Sequence, residues 1–257
     1  MLYTMQVTQK LKKLIRSLLQ KSFRDQNGLF IAEGEKLVTE LSQSDFTTEL
    51  IVIRDSPSPE VLNLAEFYSE QGLPVYTAQK HLFDQLTDTK TPQSILAVVT
   101  TQTLEPDYTK PFIALDGVSD PGNVGTIIRT ASWFGFDQII LGRDCADCFN
   151  PKTVRSTMGA IFKTSIHEAP DLETYLTENY KGFDILGAAL QSDNPLKSAK
   201  VKKNFGLVFG NESRGISKEV EDVLKGMYKI EGDGSAESLN VAIAAGISMY
   251  HFKNFLK

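Results

Sequence analysis

Three polar blocks in the second half of the chain each follow an apolar run of strand length and lead into helical periodicity. They are Asp120-Pro-Gly-Asn-Val-Gly-Thr-Ile-Ile-Arg129, Phe209-Gly-Asn-Glu-Ser-Arg-Gly215 and Glu237-Ser-Leu-Asn-Val241. A strand–loop–helix alternation repeated in this way calls for a largely parallel sheet, and it brings all three loops to the C-terminal edge of that sheet. In open α/β sheets, ligands bind at that edge.

The rest of the chain continues the alternation. Apolar runs at 112–115, 139–141, 185–188, 206–209 and 227–230 read as strands, with helices between them and a long final helix from about Leu239 onward. Earlier runs at 29–32, 50–53, 74–76 and 95–99 read as strands, separated by helical stretches around 36–41, 61–68 and 82–86. A polar stretch containing Pro106 and followed by Pro111 interrupts the pattern. A chain of 257 residues, 41% of them hydrophobic, has material for two cores. The expectation is therefore two α/β domains, 1–103 and 111–257, joined by a linker at 104–110. The first shows no nucleophile with a base, no phosphate loop and no metal cluster, so it is assigned to recognition rather than chemistry.

No apolar run approaches the roughly 20 residues that a membrane span needs, and the N-terminus lacks the apolar core of a secretory signal. A soluble, cytoplasmic protein is expected. The net charge of −5 argues against indiscriminate coating of nucleic acid. Its distribution is uneven, because Lys10, Lys12, Lys13, Arg16, Lys21 and Arg24 precede the first acidic residue, Asp25. That basic segment also carries Leu11, Leu14, Ile15, Leu18 and Leu19 at helical spacing, as an amphipathic helix would. An organellar transit peptide is disfavoured, since the apolar stripe runs directly into the strand at Leu29. Cys145 and Cys148 form an isolated Cys-x-x-Cys, and His81, His167 and His251 lack zinc-like spacing to complete it. The pair is read as structural, with no metal.

Taken singly, each polar block is modest. The first is a glycine-containing turn followed by a helix whose Val124, Ile127, Ile128, Ala131 and Phe134 face a core, with Arg129 off that stripe. The second has Gly210 and Gly215 without the Lys-Ser/Thr of a Walker loop, and the chain lacks Gly-x-Gly-x-x-Gly. The third offers Ser238 and Asn240 where a helix begins, as capping residues would stand.

Taken together, in this order and at these spacings, the blocks resemble the SpoU/TrmH class of the SPOUT superfamily, RNA 2′-O-ribose methyltransferases. Asn123 and Arg129 fit the first motif, Gly210, Asn211, Glu212 and Gly215 the second, and Ser238, Leu239 and Asn240 the third. The run Asn150-Pro-Lys-Thr-Val-Arg-Ser-Thr-Met-Gly-Ala-Ile-Phe162 supports the match, and Leu29-Phe-Ile-Ala-Glu-Gly34 resembles the N-terminal substrate-binding domain of the class.

The resemblance implies an N-terminal small α/β domain like certain RNA-binding ribosomal proteins and a C-terminal SPOUT α/β domain with a trefoil knot. It implies S-adenosylmethionine as cofactor, held around Gly210, Asn211, Gly215, Ile230 and Leu239, and a homodimer completing the active site across its interface. Asn123, Arg129, Glu212, Ser238 and Asn240 take the catalytic positions. Lys12, Lys13, Arg16, Arg24 and Arg155 are candidate RNA contacts. The extra N-terminal domain favours large-subunit ribosomal RNA as substrate. A tRNA 2′-O-methyltransferase, base methylation, or a non-catalytic RNA-binding or ribosome-assembly factor on the same fold remain open. One departure stands out: Ile230-Glu-Gly-Asp-Gly-Ser-Ala-Glu237 precedes the third motif where many relatives carry Ile-Pro-Met.

Overall fold

Apolar runs covered on both faces have no solvent side toward which to alternate, whereas half-covered runs do. Both kinds occur here, in two separate units. The structure is a computed structural model and describes residues 4–235 and 237–256. One unit comprises the residues up to Gln102 together with Phe149–Phe162, and the other Thr103–Cys148 together with the residues from Lys163 onward.

In the first unit the described strands are β1 (Met5–Gln6), β2 (Leu29–Glu33), β3 (Thr48–Arg54), β4 (Val75–Ala78) and β5 (Ile95–Thr100), in the order β1-β4-β3-β5-β2. Strands β2 and β3 run antiparallel to β5, while β4 is parallel to β3 and β1. Helices α1 (Gln9–Ser17), α2 (Lys21–Asn27), α3 (Glu35–Leu41), α4 (Pro59–Glu70) and α5 (Lys80–Phe83) connect them. Thr8 caps α1 by accepting from the Leu11 N–H at 3.2 Å. Its buried face, Leu11 and Ile15, joins Leu18, Phe83 and Val98 in one core. The basic segment is thus two helices rather than one, divided around Gln20, where the backbone turns extended (φ −103°, ψ 135°).

The unit also takes in a piece of chain that the sequence reading placed with the C-terminal domain. Phe149 and Phe162 lie against Phe30, at ring-centroid distances of 4.8 and 6.5 Å, and Phe162 meets Phe46 edge-on at 5.3 Å. Between them a helix over Pro151–Thr157 packs on β2. The ring partners of Phe149 and Phe162 and the ion-pair partners of Arg155 belong to the first unit, so 149–162 departs from the expected domain 111–257.

The second unit carries β6 (Phe112–Asp116), α6 (Pro121–Phe134), β7 (Gln138–Leu141), β8 (Ser165–Glu168), α8 (Leu172–Asn179), β9 (Asp184–Ala188), β10 (Phe205–Gly210), α9 (Lys218–Glu221), β11 (Gly226–Tyr228) and α10 (Val241–Phe252); the Pro151–Thr157 helix is α7. Its sheet order is β11-β9-β10-β6-β7-β8, and every pairing is parallel. Strand β8 lies at an edge, and its Ser-Ile-His-Glu sequence gave no apolar run to find it by. The expected linker is bound to this unit: the Ser165 hydroxyl donates to the Leu104 carbonyl at 2.8 Å, and Gln138 Oε1 accepts from the Asp107 N–H at 2.6 Å.

Among the described residues, no helix is long and apolar enough to cross a membrane.

Candidate functional site

Because all six strands of the second sheet are parallel, they deliver the ends of β6, β9, β10 and β11, at Asp116, Ala188, Gly210 and Tyr228, to a single edge. The three polar blocks meet there. Asp120 caps α6 by accepting from the Asn123 N–H at 3.0 Å, with Pro121 in the first turn, where its missing N–H costs nothing. Asn240 caps α10, its Oδ1 accepting from the N–H groups of Ala242 at 2.9 Å and Ile243 at 3.3 Å.

These two caps join across the site. Asn240 Nδ2 donates to Asn123 Oδ1 at 2.9 Å, and Asn123 Nδ2 donates to Glu212 Oε1 at 2.8 Å. One residue from each block therefore forms a row in which every donor points from the α10 N-terminus toward the Glu212 carboxylate. The direction is electrostatically favourable, since it carries the positive end of the helix dipole toward an anion. Asn123 spends both ends of its amide in this bridge, and so acts on whatever binds here by holding Glu212 and Asn240 in place.

The second block is a tight loop built by Asn211. Its Nδ2 donates to the Gly117 carbonyl at 2.7 Å, and its Oδ1 accepts from the N–H groups of Ser213 and Arg214 at 3.0 and 3.1 Å. Backbone bonds of 2.9 Å in both directions link Asn211 with Gly215. Gly210 has no room for a side chain, because a Cβ there would overlap the Gly215 carbonyl and the Ile216 nitrogen. Gly215 adopts φ +74°, a left-handed conformation that glycine takes without strain.

Behind this loop opens a cleft of about 270 Å³. Gly210, Asn211, Gly215, Ile230 and Leu239, the residues expected around a cofactor, line it, together with Glu212 and Ser238, which were expected in catalytic positions. Leu190 and Gln191, from the loop after β9, line it too. Sequence reading missed them, although their position just beyond a strand at the ligand edge was a signal. Ala236, in the glycine-rich acidic stretch, lies outside the described residues.

Other expected residues stand elsewhere. Arg129 is exposed on α6, six residues beyond Asn123 and so about 9 Å along the helix, and it is not part of the cleft lining. Lys13 and Arg16 are exposed on α1, with Lys12 half-buried beside them. Arg24 is not available as a surface contact: it is 2% exposed and donates to the Leu18 carbonyl at 2.8 Å. Arg155 is held by Asp88 at 2.7 Å and by the buried Glu33 at 3.3 Å, so its charge is already paired. Burial pushes the Cys145 thiol up to about 11, and its sulfur donates to the Leu115 carbonyl at 3.1 Å, which suits an inert thiol. Asp147, Cys148 and Glu168 have potential ligand atoms within 4.8 Å of one another, and each also has a partner within the protein.

Comparison with known proteins agrees with this geometry. Residues 110–250 match the SpoU rRNA Methylase family, and residues 9–97 match an MRM3-like substrate binding domain. The chain is 34% identical over 240 residues to a Bacillus subtilis (strain 168) protein named 23S rRNA (guanosine(2553)-2′-O)-methyltransferase RlmP, covering 93% of this chain and 94% of the relative. An AdoMet-bound rRNA methyltransferase from Sinorhizobium meliloti has a similar structure, with a TM-score of 0.84, 30% identity and coverage of 99% and 98% of the two chains. The SpoU methyltransferase AviRb from Streptomyces viridochromogenes, at 21% identity, a TM-score of 0.83 and coverage of 96% and 98%, shares the fold. With the matched residues covering both sides of the cleft and its hydrogen-bonded row, the chain belongs to the SpoU rRNA Methylase family.

Proposed function

We propose that the protein transfers the methyl group of S-adenosylmethionine to a ribose 2′-oxygen of large-subunit ribosomal RNA. The observation that carries this reading is the row Asn240–Asn123–Glu212 beside a cleft lined by the second and third motifs. The names of the Bacillus and Sinorhizobium relatives support the substrate class and the cofactor. The cleft fits the cofactor's chemistry: its glycine loop exposes backbone where a Cβ would intrude, and Ile230 and Leu239 offer apolar surface. When bound, the cofactor supplies an electrophilic methyl on a sulfonium. The chain's own residues must then orient a ribose hydroxyl and let its proton leave.

Glu212, its Oε1 taken by the donor row, keeps Oε2 available to orient a hydroxyl or a guanidinium. Arg129 serves as the anchor for a phosphate of the target nucleotide. A guanidinium stays protonated in proteins, so it binds anions well and accepts protons poorly. The proton of the hydroxyl leaves to solvent or to a substrate oxygen.

The exposed faces of α6 and α10 support a homodimer. Trp133 is 83% exposed, Tyr250 61% and Ile243 55%, with Ile247 beside them, far more apolar surface than isolated residues explain. Arg129 lies one turn before Trp133 on α6. Pairing of these faces brings Arg129 to the partner's cleft and completes the site there. The return of the chain from the edge strand β11 to α10, which packs on α6 and β10, supports a trefoil knot around the 211–215 loop. In this reading the first unit, with α1, serves as the RNA-binding domain, no metal takes part, and the protein works in the cytoplasm.

The test is transfer of labelled methyl from S-adenosylmethionine to protein-free ribosomal RNA and to total tRNA, with Arg129→Ala alongside. Label in ribosomal RNA that is ribose-bound and falls at least about a hundredfold in the variant, with cofactor affinity retained, is the expected outcome. Label in tRNA alone overturns the substrate class, and unchanged single-turnover transfer by Arg129→Ala overturns the role of that arginine.

A further inference from the structure

A second cleft, of about 520 Å³, opens on the same sheet edge on the other side of the 211–215 loop. The two clefts share Asn211, Arg214 and Gly215 as a common wall. From the reading of the first cleft as the methyl-donor site, we propose that the second is a subsite for one unstacked nucleobase flanking the methylated nucleotide, recognised through its N–H and amino donors.

The argument rests on which charges in the cleft are already used. Asp116 accepts from the Ser217 N–H at 2.6 Å and Asp171 from the Thr174 N–H at 3.1 Å, so both carboxylates serve the local fold. Asp144, in a left-handed conformation at φ +63°, approaches Arg214 at 3.9 Å. Arg143, Glu173 and Glu219 also line the cleft, and among the described residues their side chains have no hydrogen bond or ion pair. Arg143 and Glu219 are exposed and Glu173 is half-buried, so charges of both signs stand free around one hollow to meet a ligand that offers both a donor edge and a flat face.

A phosphate does not meet that description, because the lining carries five carboxylates against two guanidiniums. The excess negative charge repels an anion and favours hydrogen-bond donors. A nucleobase with ring N–H and amino groups presents such donors to carboxylates, and its face stacks on an arginine plane. The volume lies within the range of small-ligand pockets. The shared wall sets the occupant beside the methyl donor, within reach of a nucleotide next to the one that receives the methyl group. Single-stranded RNA splayed across such a loop is the usual form in which bases are read.

The experiment uses the full chain and a short RNA carrying its mapped methylation site, with each nucleotide flanking the target made abasic in turn. Arg143→Ala and Glu173→Gln are compared with wild type for KM, kcat, cofactor affinity and thermal stability. At one flanking position the abasic RNA is expected to raise the wild-type KM roughly tenfold. Each variant raises the KM for intact RNA by a similar factor, leaves cofactor affinity unchanged, and shows no further penalty with that abasic RNA. A full abasic penalty persisting in both variants overturns the proposal, as does an unchanged KM for intact RNA. Loss of RNA affinity at every position alike, with a shallower salt dependence, assigns the cleft to phosphate and overturns it as well. Wild-type protein that neither binds the cofactor nor transfers methyl defeats the methyl-transfer reading itself, and this proposal with it.

Discussion

Gly210 shows how narrowly a single residue can be constrained. It ends β10, and a Cβ at its position overlaps the backbone of Gly215 and Ile216. Gly210→Ala forces the loop open, at a cost of about 1–3 kcal/mol by the usual penalty for overpacking. Thermal unfolding is expected to show a lower midpoint, and titration with S-adenosylmethionine at least tenfold weaker binding; retained wild-type affinity contradicts the cradle. Glu33 makes a different kind of test. Burial holds its carboxyl above the ordinary 4.5, against the opposing pull of the Gln93 N–H and Arg155. The fold therefore favours the protonated form, whose stabilising contribution is complete below about 4.5 and is lost as pH rises through the raised value. Glu33→Gln stays neutral throughout, so the melting temperature of wild type relative to the variant falls as pH is raised from about 4 toward neutrality. A difference that stays constant over that range rules out titration of Glu33. Arg24 and Arg155 mark the limit of reading at this scale. A count of charges shows where basic residues are dense, whereas the burial of Arg24 against the Leu18 carbonyl is decided by the turn at Gln20, and the pairing of Arg155 with Glu33 and Asp88 joins segments distant in sequence.

At the scale of elements, α1 is the clearest case of a helix legible from its pattern. Its apolar stripe is buried, and Lys13 and Arg16 remain exposed beside Lys12. Reversing Lys12, Lys13 and Arg16 to Glu is expected to weaken RNA binding and to flatten the dependence of log affinity on log salt by about 2. Filter binding at several salt concentrations measures both, and an unchanged slope removes α1 from the RNA-binding surface. The helices α6 and α10 were also legible, since a cap, an early proline or a strong apolar run marks each start. Strand β8 was not. It is an edge strand whose place is secured by pairing with β7 and by the bond from Ser165 to Leu104, neither of which leaves a local periodicity. Helix α7 was legible as a helix but not as part of the first unit, because Glu33, the partner of its Arg155, and Phe30 and Phe46, the partners of the flanking Phe149 and Phe162, lie more than a hundred residues earlier.

At the scale of the whole molecule, the exposed face of α6 and α10 predicts association. Trp133→Glu places a charge in the middle of the apolar surface proposed for the dimer, and is expected to shift the protein from dimer to monomer in light scattering and to reduce methyl transfer at least tenfold. A monomeric wild type, or a fully active monomeric variant, contradicts completion of the site by a partner. The sequence by itself determined the alternation of strands and helices, the parallel sheet it requires, and the identity of the residues at the ligand edge, because apolar periodicity and turn chemistry are local properties. Only the tertiary structure decided that Asn240, Asn123 and Glu212 form one directed row, that 149–162 packs with the first unit, and that Arg155 is paired with Glu33. Each of those outcomes depends on contacts between segments that are far apart in the chain, and the pattern within any one segment carries no record of its partner.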